Sequence, residues 1–186
     1  MAVALRNPLC RNVCRLINNH EVSHRRNYIR RGEKVPSVNL YLDTPNNAVN
    51  AYDLFKGKRG VLFSVLGAFT PGCKKHIPDY LDHYDQFKAE GYDLIVCVAV
   101  NDPYVMSAWA KSLNTKDKIL MLADPKAEFT KAMNMDLDCR HIMGTTRSKR
   151  YSVVVEDSKM KGFNMEPEDT GLACLLCIQN MKNSKD

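Results

Sequence analysis

Short apolar runs rich in β-branched residues recur along the chain at 61–65, 94–100, 119–123 and 151–155. Longer stretches compatible with helices separate them, at about 74–90, 103–113 and about 126–133. This alternation restricts the fold more than any other feature, because buried strands read as continuous apolar runs and the helices must cover them. It predicts an α/β layered domain with a largely parallel central sheet. Asp102-Pro103 and Asp124-Pro125 read as helix starts, with Asp near the cap and Pro in the first turn. Residues 35–42 read as an edge strand or extended lead-in, followed by the turn cluster Thr44-Pro45-Asn46-Asn47. A chain of 186 residues has the length of one domain able to bury a core. No apolar run reaches the roughly 20 residues needed to span a bilayer. Seven irregularly spaced cysteines argue against a secreted disulfide framework.

The formal net charge of +6 invites a nucleic-acid reading, which its distribution removes. Residues 1–34 hold eight basic and two acidic side chains, whereas residues 35–186 hold nineteen of each. The excess belongs to the leader, and the body is neutral. From Asn7 and Pro8 the leader can form a short helix with Leu9, Val13, Leu16 and Ile17 on one face, and Arg11 and Arg15 off it. A basic, acid-poor, amphipathic N-terminus reads as a mitochondrial presequence, here residues 1–28, with the domain at 29–186. Matrix localisation is the expectation, and a chain lacking the leader would remain in the cytoplasm. Cys10 and Cys14 have no following His or Cys at zinc-finger spacing.

Gly67-Ala68-Phe69-Thr70-Pro71-Gly72-Cys73 joins the first central run to the next helix. Pro-Gly forces a turn, so Cys73 falls in the first helical turn. There the unpaired N–H groups and the positive end of the dipole favour a thiolate, and Lys74 and Lys75 add charge. Thr70 places a hydroxyl three residues earlier. A strand, turn, cysteine and helix in this order suit redox or nucleophilic chemistry; plain packing of Cys73 is the alternative. Cys174-Leu175-Leu176-Cys177 is a C-x-x-C that suits a redox pair or half a zinc site. Cys97 reads as core, Cys139 as a loop thiol, and Trp109 as core or a subunit contact. His76 reads equally as a neighbour of Cys73 or as a solvated helix-face residue. His83 and His141 have no evident metal-ligand partners.

Several of these segments together carry a resemblance. The Gly67–Cys73 motif, Lys149-Arg150-Tyr151-Ser152, Glu166-Pro167 and Thr170-Gly171-Leu172-Ala173-Cys174 resemble peroxiredoxins of the peroxiredoxin-5 type. Phe55-Lys56-Gly57-Lys58, Val100-Asn101-Asp102, Trp109 and Leu122-Ala123-Asp124-Pro125 extend the similarity from about residue 32 to about residue 180. The resemblance implies an α/β thioredoxin-like fold, with a central mixed sheet flanked by helices. It also implies an atypical two-cysteine thiol peroxidase that needs no cofactor or metal. By position, Cys73 matches the peroxidatic cysteine, Thr70 its hydroxyl partner, Arg150 the active-site arginine and Cys174 the resolving cysteine. Implied partners are hydrogen peroxide and organic hydroperoxides as substrates, thioredoxin as reductant, and a second copy in a non-covalent homodimer.

Two positions depart from that family's pattern. Leu66 stands where the motif begins with Pro, supplying apolar cover but not the fixed φ or the missing donor. After the cysteine, His and Pro usually come at four and six residues, whereas His76 and Pro78 come three and five residues after Cys73. One missing residue rotates the downstream side chains by about 100° around the helix. These departures motivate a second expectation, a catalytically impaired relative acting as a redox sensor or binding protein.

Overall fold

The computed structural model describes residues 31–71 and 73–165. The leader helix expected from Asn7, together with Cys174 and Cys177, lies outside the described residues. In chain order the elements are β1 (Asn39–Leu42), β2 (Ala48–Asn50), α1 (Ala51–Leu54), β3 (Arg59–Ser64), α2 (Cys73–Asp82), α3 (Tyr84–Ala89), β4 (Leu94–Ala99) and α4 (Pro103–Leu113). They continue as β5 (Leu120–Ala123), α5 (Glu128–Ala132), β6 (Asp136–Cys139), α6 (Arg140–Met143), β7 (Thr145–Ser148), β8 (Tyr151–Glu156) and β9 (Lys159–Met165).

The apolar runs form the middle of a seven-stranded mixed sheet of order β2-β1-β5-β4-β3-β8-β9. Both faces of its central strands are buried. Val61, Phe63, Cys97 and Met121 face Ile77, Tyr80, Met106 and Trp109 on one side. Leu62, Val96, Leu122 and Val153 face Phe129 and Met133 on the other. This two-sided burial is why these strands show no polar alternation. Cys97 and Trp109 are fully buried, as the sequence implied. Cys139 is buried at the end of β6 rather than exposed on a loop, because the β6–β7 ladder draws it inward.

The sheet is less parallel than the alternation suggests. Among the described strands of the sheet only β3–β4 and β4–β5 run parallel, while β1–β2, β1–β5, β3–β8 and β8–β9 are antiparallel. The outer pairs β1–β2 and β8–β9 are hairpins, which need only a short turn where a parallel neighbour needs a helical crossover. Asp157 and Ser158 join β8 to β9 with φ of 47° and 59°, the left-handed pair of a type I′ turn. β6 and β7 form a separate two-stranded arm.

Two helix expectations also shift. The stretch at 74–90 divides into α2 and α3 at His83 (φ −99°, ψ 10°), with Pro78 inside α2. Proline there lacks the N–H that would bond one turn back, so the helix is weakened before its end. Stacking of Phe63 on Tyr80 (centroids 4.1 Å apart) holds α2 to the sheet nonetheless. After Asp124-Pro125 the helix begins only at Glu128. The Asp124 carboxylate still reaches its first turn, accepting from the N–H groups of Phe129 (3.3 Å) and Thr130 (2.8 Å). α4, by contrast, starts where expected: Asp102 Oδ1 accepts from Val105 N–H at 3.0 Å, and Pro103 occupies the first turn.

Candidate active site

Val65 N–H donates to Val98 O (3.2 Å) just after β3 ends, and the chain then leaves the sheet. Gly67 to Thr70 forms a turn in which Thr70 donates twice to Gly67 O, from its N–H (3.4 Å) and its Oγ1 (2.9 Å). Across the turn, Ala68 N–H donates to Asn101 Oδ1 (2.9 Å), which fixes the loop to the β4–α4 junction. Phe69 has φ of 61°, and its half-exposed ring tilts toward Trp109 with centroids 6.2 Å apart. A non-glycine residue in that region costs energy unless its surroundings hold it. Cys73 is the first residue of α2, which carries no acidic residue in its first turn. Unpaired N–H groups and the helix dipole favour negative charge at this end.

Arg150 lies between β7 and β8 and is only 2% exposed. Ser64 pairs with Tyr151 in the β3–β8 register, so Arg150 enters the sheet at the end from which the Cys73 loop departs. Small polar contacts hold this approach. Ser64 Oγ lies 2.8 Å from Ser148 Oγ and 3.1 Å from Val98 O, and Lys149 N–H donates to Met135 O (2.8 Å). Buried hydroxyls need such partners, and here they link the strand leading to the thiol with the segment carrying the guanidinium. Burial, with Asp124 and Cys97 nearby, pushes the Tyr151 hydroxyl well above the ordinary phenol range and keeps it neutral. Thr70 and Cys73, on the loop from β3 into α2, and Arg150, between β7 and β8, thus lie at one end of the sheet. Cys174 lies outside the described residues.

One side chain at this end gave no sequence signal. Arg147 on β7 donates from Nη1 to Val100 O and lies against the Gly67 turn. Its spacing of three residues before Arg150 was visible, but a polar strand in a separate arm gave no reason to place it here. Among the described residues no group of three or more His, Cys, Asp or Glu could hold a metal ion. No helix among them is long and apolar enough to cross a membrane.

Residues 30–175 match the Redoxin family. A solved structure, peroxiredoxin 5 from Alvinella pompejana, superposes with a TM-score of 0.74 at 49% identity, covering 81% of this chain and 98% of that one. The chain belongs to the peroxiredoxin family, in its peroxiredoxin-5 type. Mitochondrial peroxiredoxin-2F of Arabidopsis thaliana is 43% identical over 115 residues, 61% of this peroxiredoxin and 57% of the relative. Chloroplastic peroxiredoxin-2E of the same plant is 37% identical over 142 residues, 73% of this chain and 61% of the relative. The chain therefore spans about three fifths of the length of these curated relatives.

Against that family the two departures take structural form. Leu66 is half-buried and packs on the core cluster. His76 is 5% exposed, with its ring centroid 5.2 Å from Phe63 and 5.5 Å from Tyr80. It is buried against these aromatic rings of the core, not solvated on the helix face.

Proposed function

We propose that this peroxiredoxin is a thiol peroxidase that reduces hydrogen peroxide and organic hydroperoxides through Cys73. The observation that carries the reading is the placement of Cys73 at the first residue of the ten-residue helix α2, at the sheet end where the buried Arg150 enters. A helix N-terminus favours the thiolate, and a guanidinium supplies donors to oxygens on which charge develops. In the proposed cycle the Cys73 thiolate attacks one peroxide oxygen. An S–O bond forms as the O–O bond breaks, and the leaving oxygen takes a proton to give water or an alcohol. Thr70 and Arg150 bind the peroxide oxygens during this step. The resulting sulfenic acid condenses with the Cys174 thiol, forming a disulfide and releasing water. A thioredoxin dithiol then reduces that disulfide by exchange and is itself oxidised. We place the enzyme in the mitochondrial matrix as a non-covalent homodimer, with residues 1–28 as leader and 29–186 as the domain. The Arg-rich leader and the mitochondrial 2F relative support that address.

Stopped-flow peroxide consumption with thioredoxin recycling tests the reading on wild type, Cys73→Ser and Cys174→Ser. Wild type should react far faster than a free thiol, and Cys73→Ser should abolish the reaction. Loss of recycling in Cys174→Ser, with the first oxidation intact, is expected. A wild-type rate no faster than a free thiol would instead support the redox-sensor reading, which the Leu66 and His76 departures favour. Deleting residues 1–28 from a fluorescent fusion should abolish mitochondrial import; unaffected import would sink that address.

A further inference from the structure

The peroxidase reading uses one arginine, but a second lies against the loop leading to Cys73. Arg147 sits on β7, outside the main sheet, yet its guanidinium crosses to the β4–α4 junction and donates from Nη1 to Val100 O. The same Nη1 lies 3.4 Å from the position a Cβ would take at Gly67. Asn101 Oδ1 (3.5 Å) and Thr70 Cγ2 (3.7 Å) are the other two nearest atoms to that position. Three segments therefore converge on one glycine: β7 through Arg147, the β4–α4 junction through Asn101, and the thiol loop through Thr70. Asn101 Oδ1 also takes the Ala68 N–H, so the turn is bonded to the same junction that receives Arg147 Nη1.

Arg147 is poorly compensated for a residue with only a structural task. Its Nε is buried and has no hydrogen-bond partner among the described residues. No carboxylate among them pairs with it. A buried donor left unmade is costly, and such a group in a native fold calls for a reason. We propose that Arg147 is a positioning residue of the thiol site, which with Asn101 clamps the Gly67–Thr70 turn and so sets how Thr70 and Cys73 are presented. The inference rests on the peroxidase reading for its meaning but not for its test.

The test compares wild type, Arg147→Met and Arg147→Lys in the full chain. Met keeps the apolar stem and removes the donor; Lys restores a donor and the charge. Two rates are read: alkylation of Cys73 by iodoacetamide, followed on its own peptide by mass spectrometry, and peroxide kcat and KM separately. Misplacement of a reacting group by an ångström costs up to about 10²-fold, so a smaller shift of the turn should slow both reactions by about tenfold in Arg147→Met. Arg147→Lys should recover most of the loss. Rates within twofold of wild type in Arg147→Met, or a loss that Lys leaves untouched, would overturn the proposal. If Arg147→Met fails to fold, Asn101→Ala removes the bond to Ala68 N–H: a similar slowing supports the clamp and an unchanged rate overturns it. Should wild type fail to consume peroxide, the peroxidase reading falls while the alkylation rates still decide the role of Arg147.

Discussion

Three parallel strands each pass the chain to a helix at the same end of the sheet, and two of the three junctions are closed by a carboxylate. Asp102 accepts from Val105 N–H at the start of α4, and Asp124 accepts from Phe129 and Thr130 N–H at the start of α5. The third junction differs. α2 opens on Cys73 with no acidic residue in its first turn, and the Thr70 hydroxyl donates back to Gly67 O. A fixed carboxylate consumes the positive potential of a helix end. Where no carboxylate is supplied, that potential is left for an anion made in the reaction, and a thiolate is such an anion. Identical topology thus serves anchoring twice and, on the proposed assignment, chemistry once.

Four substitutions would break or sharpen this contrast. Arg150→Met should slow peroxide reduction about 10²-fold by removing donors aimed at the developing oxygen charge, as stopped-flow rates would show. Asp124→Ala should cost about 2 kcal/mol in urea unfolding, because two buried N–H groups lose their acceptor. Its Cys73 alkylation rate should stay near wild type; a large fall would mean that the capped and thiol junctions are coupled. Asp102→Ala, at a more exposed cap, should cost about 1 kcal/mol by the same measurement. Lys74→Glu places a carboxylate in the first turn of α2. It should raise the pH midpoint of Cys73 alkylation by roughly half a unit, since a negative neighbour disfavours the thiolate. An unmoved midpoint would show that the helix end contributes little to the thiol.

The strands that pass through the core were legible because burial on both faces leaves a run such as Val61–Phe63 with no polar interruption. Asp102-Pro103 was legible for a local reason too, since capping acts within one turn. The features without a sequence signal depend on partners distant in the chain. β9 is an edge strand whose residues are mostly half-buried, so it carries no apolar signature. β6 and β7 are short and polar, and only their pairing makes them an arm. The site divides along the same line. The Gly67–Cys73 loop can be read from a local motif and a family resemblance, whereas Arg147 acquires its place only when β7 docks beside the β4–α4 junction. The burial of His76 is hidden in the sequence for a similar reason, because its surroundings include Phe63 on another element.

The β3–β8 register that sets Ser64 beside Tyr151 also orders events in time. The cysteine and the arginine belong to distant parts of the chain and come to one end of the sheet only when β8 pairs with β3, a non-local step of the slow kind. Until then Cys73 has its helix end at most, and no guanidinium beside it. A chain in transit or newly made would on this assignment carry an ordinary thiol, and reactivity would arrive with completion of the sheet. On that assignment the fold itself acts as the safety catch on the thiol.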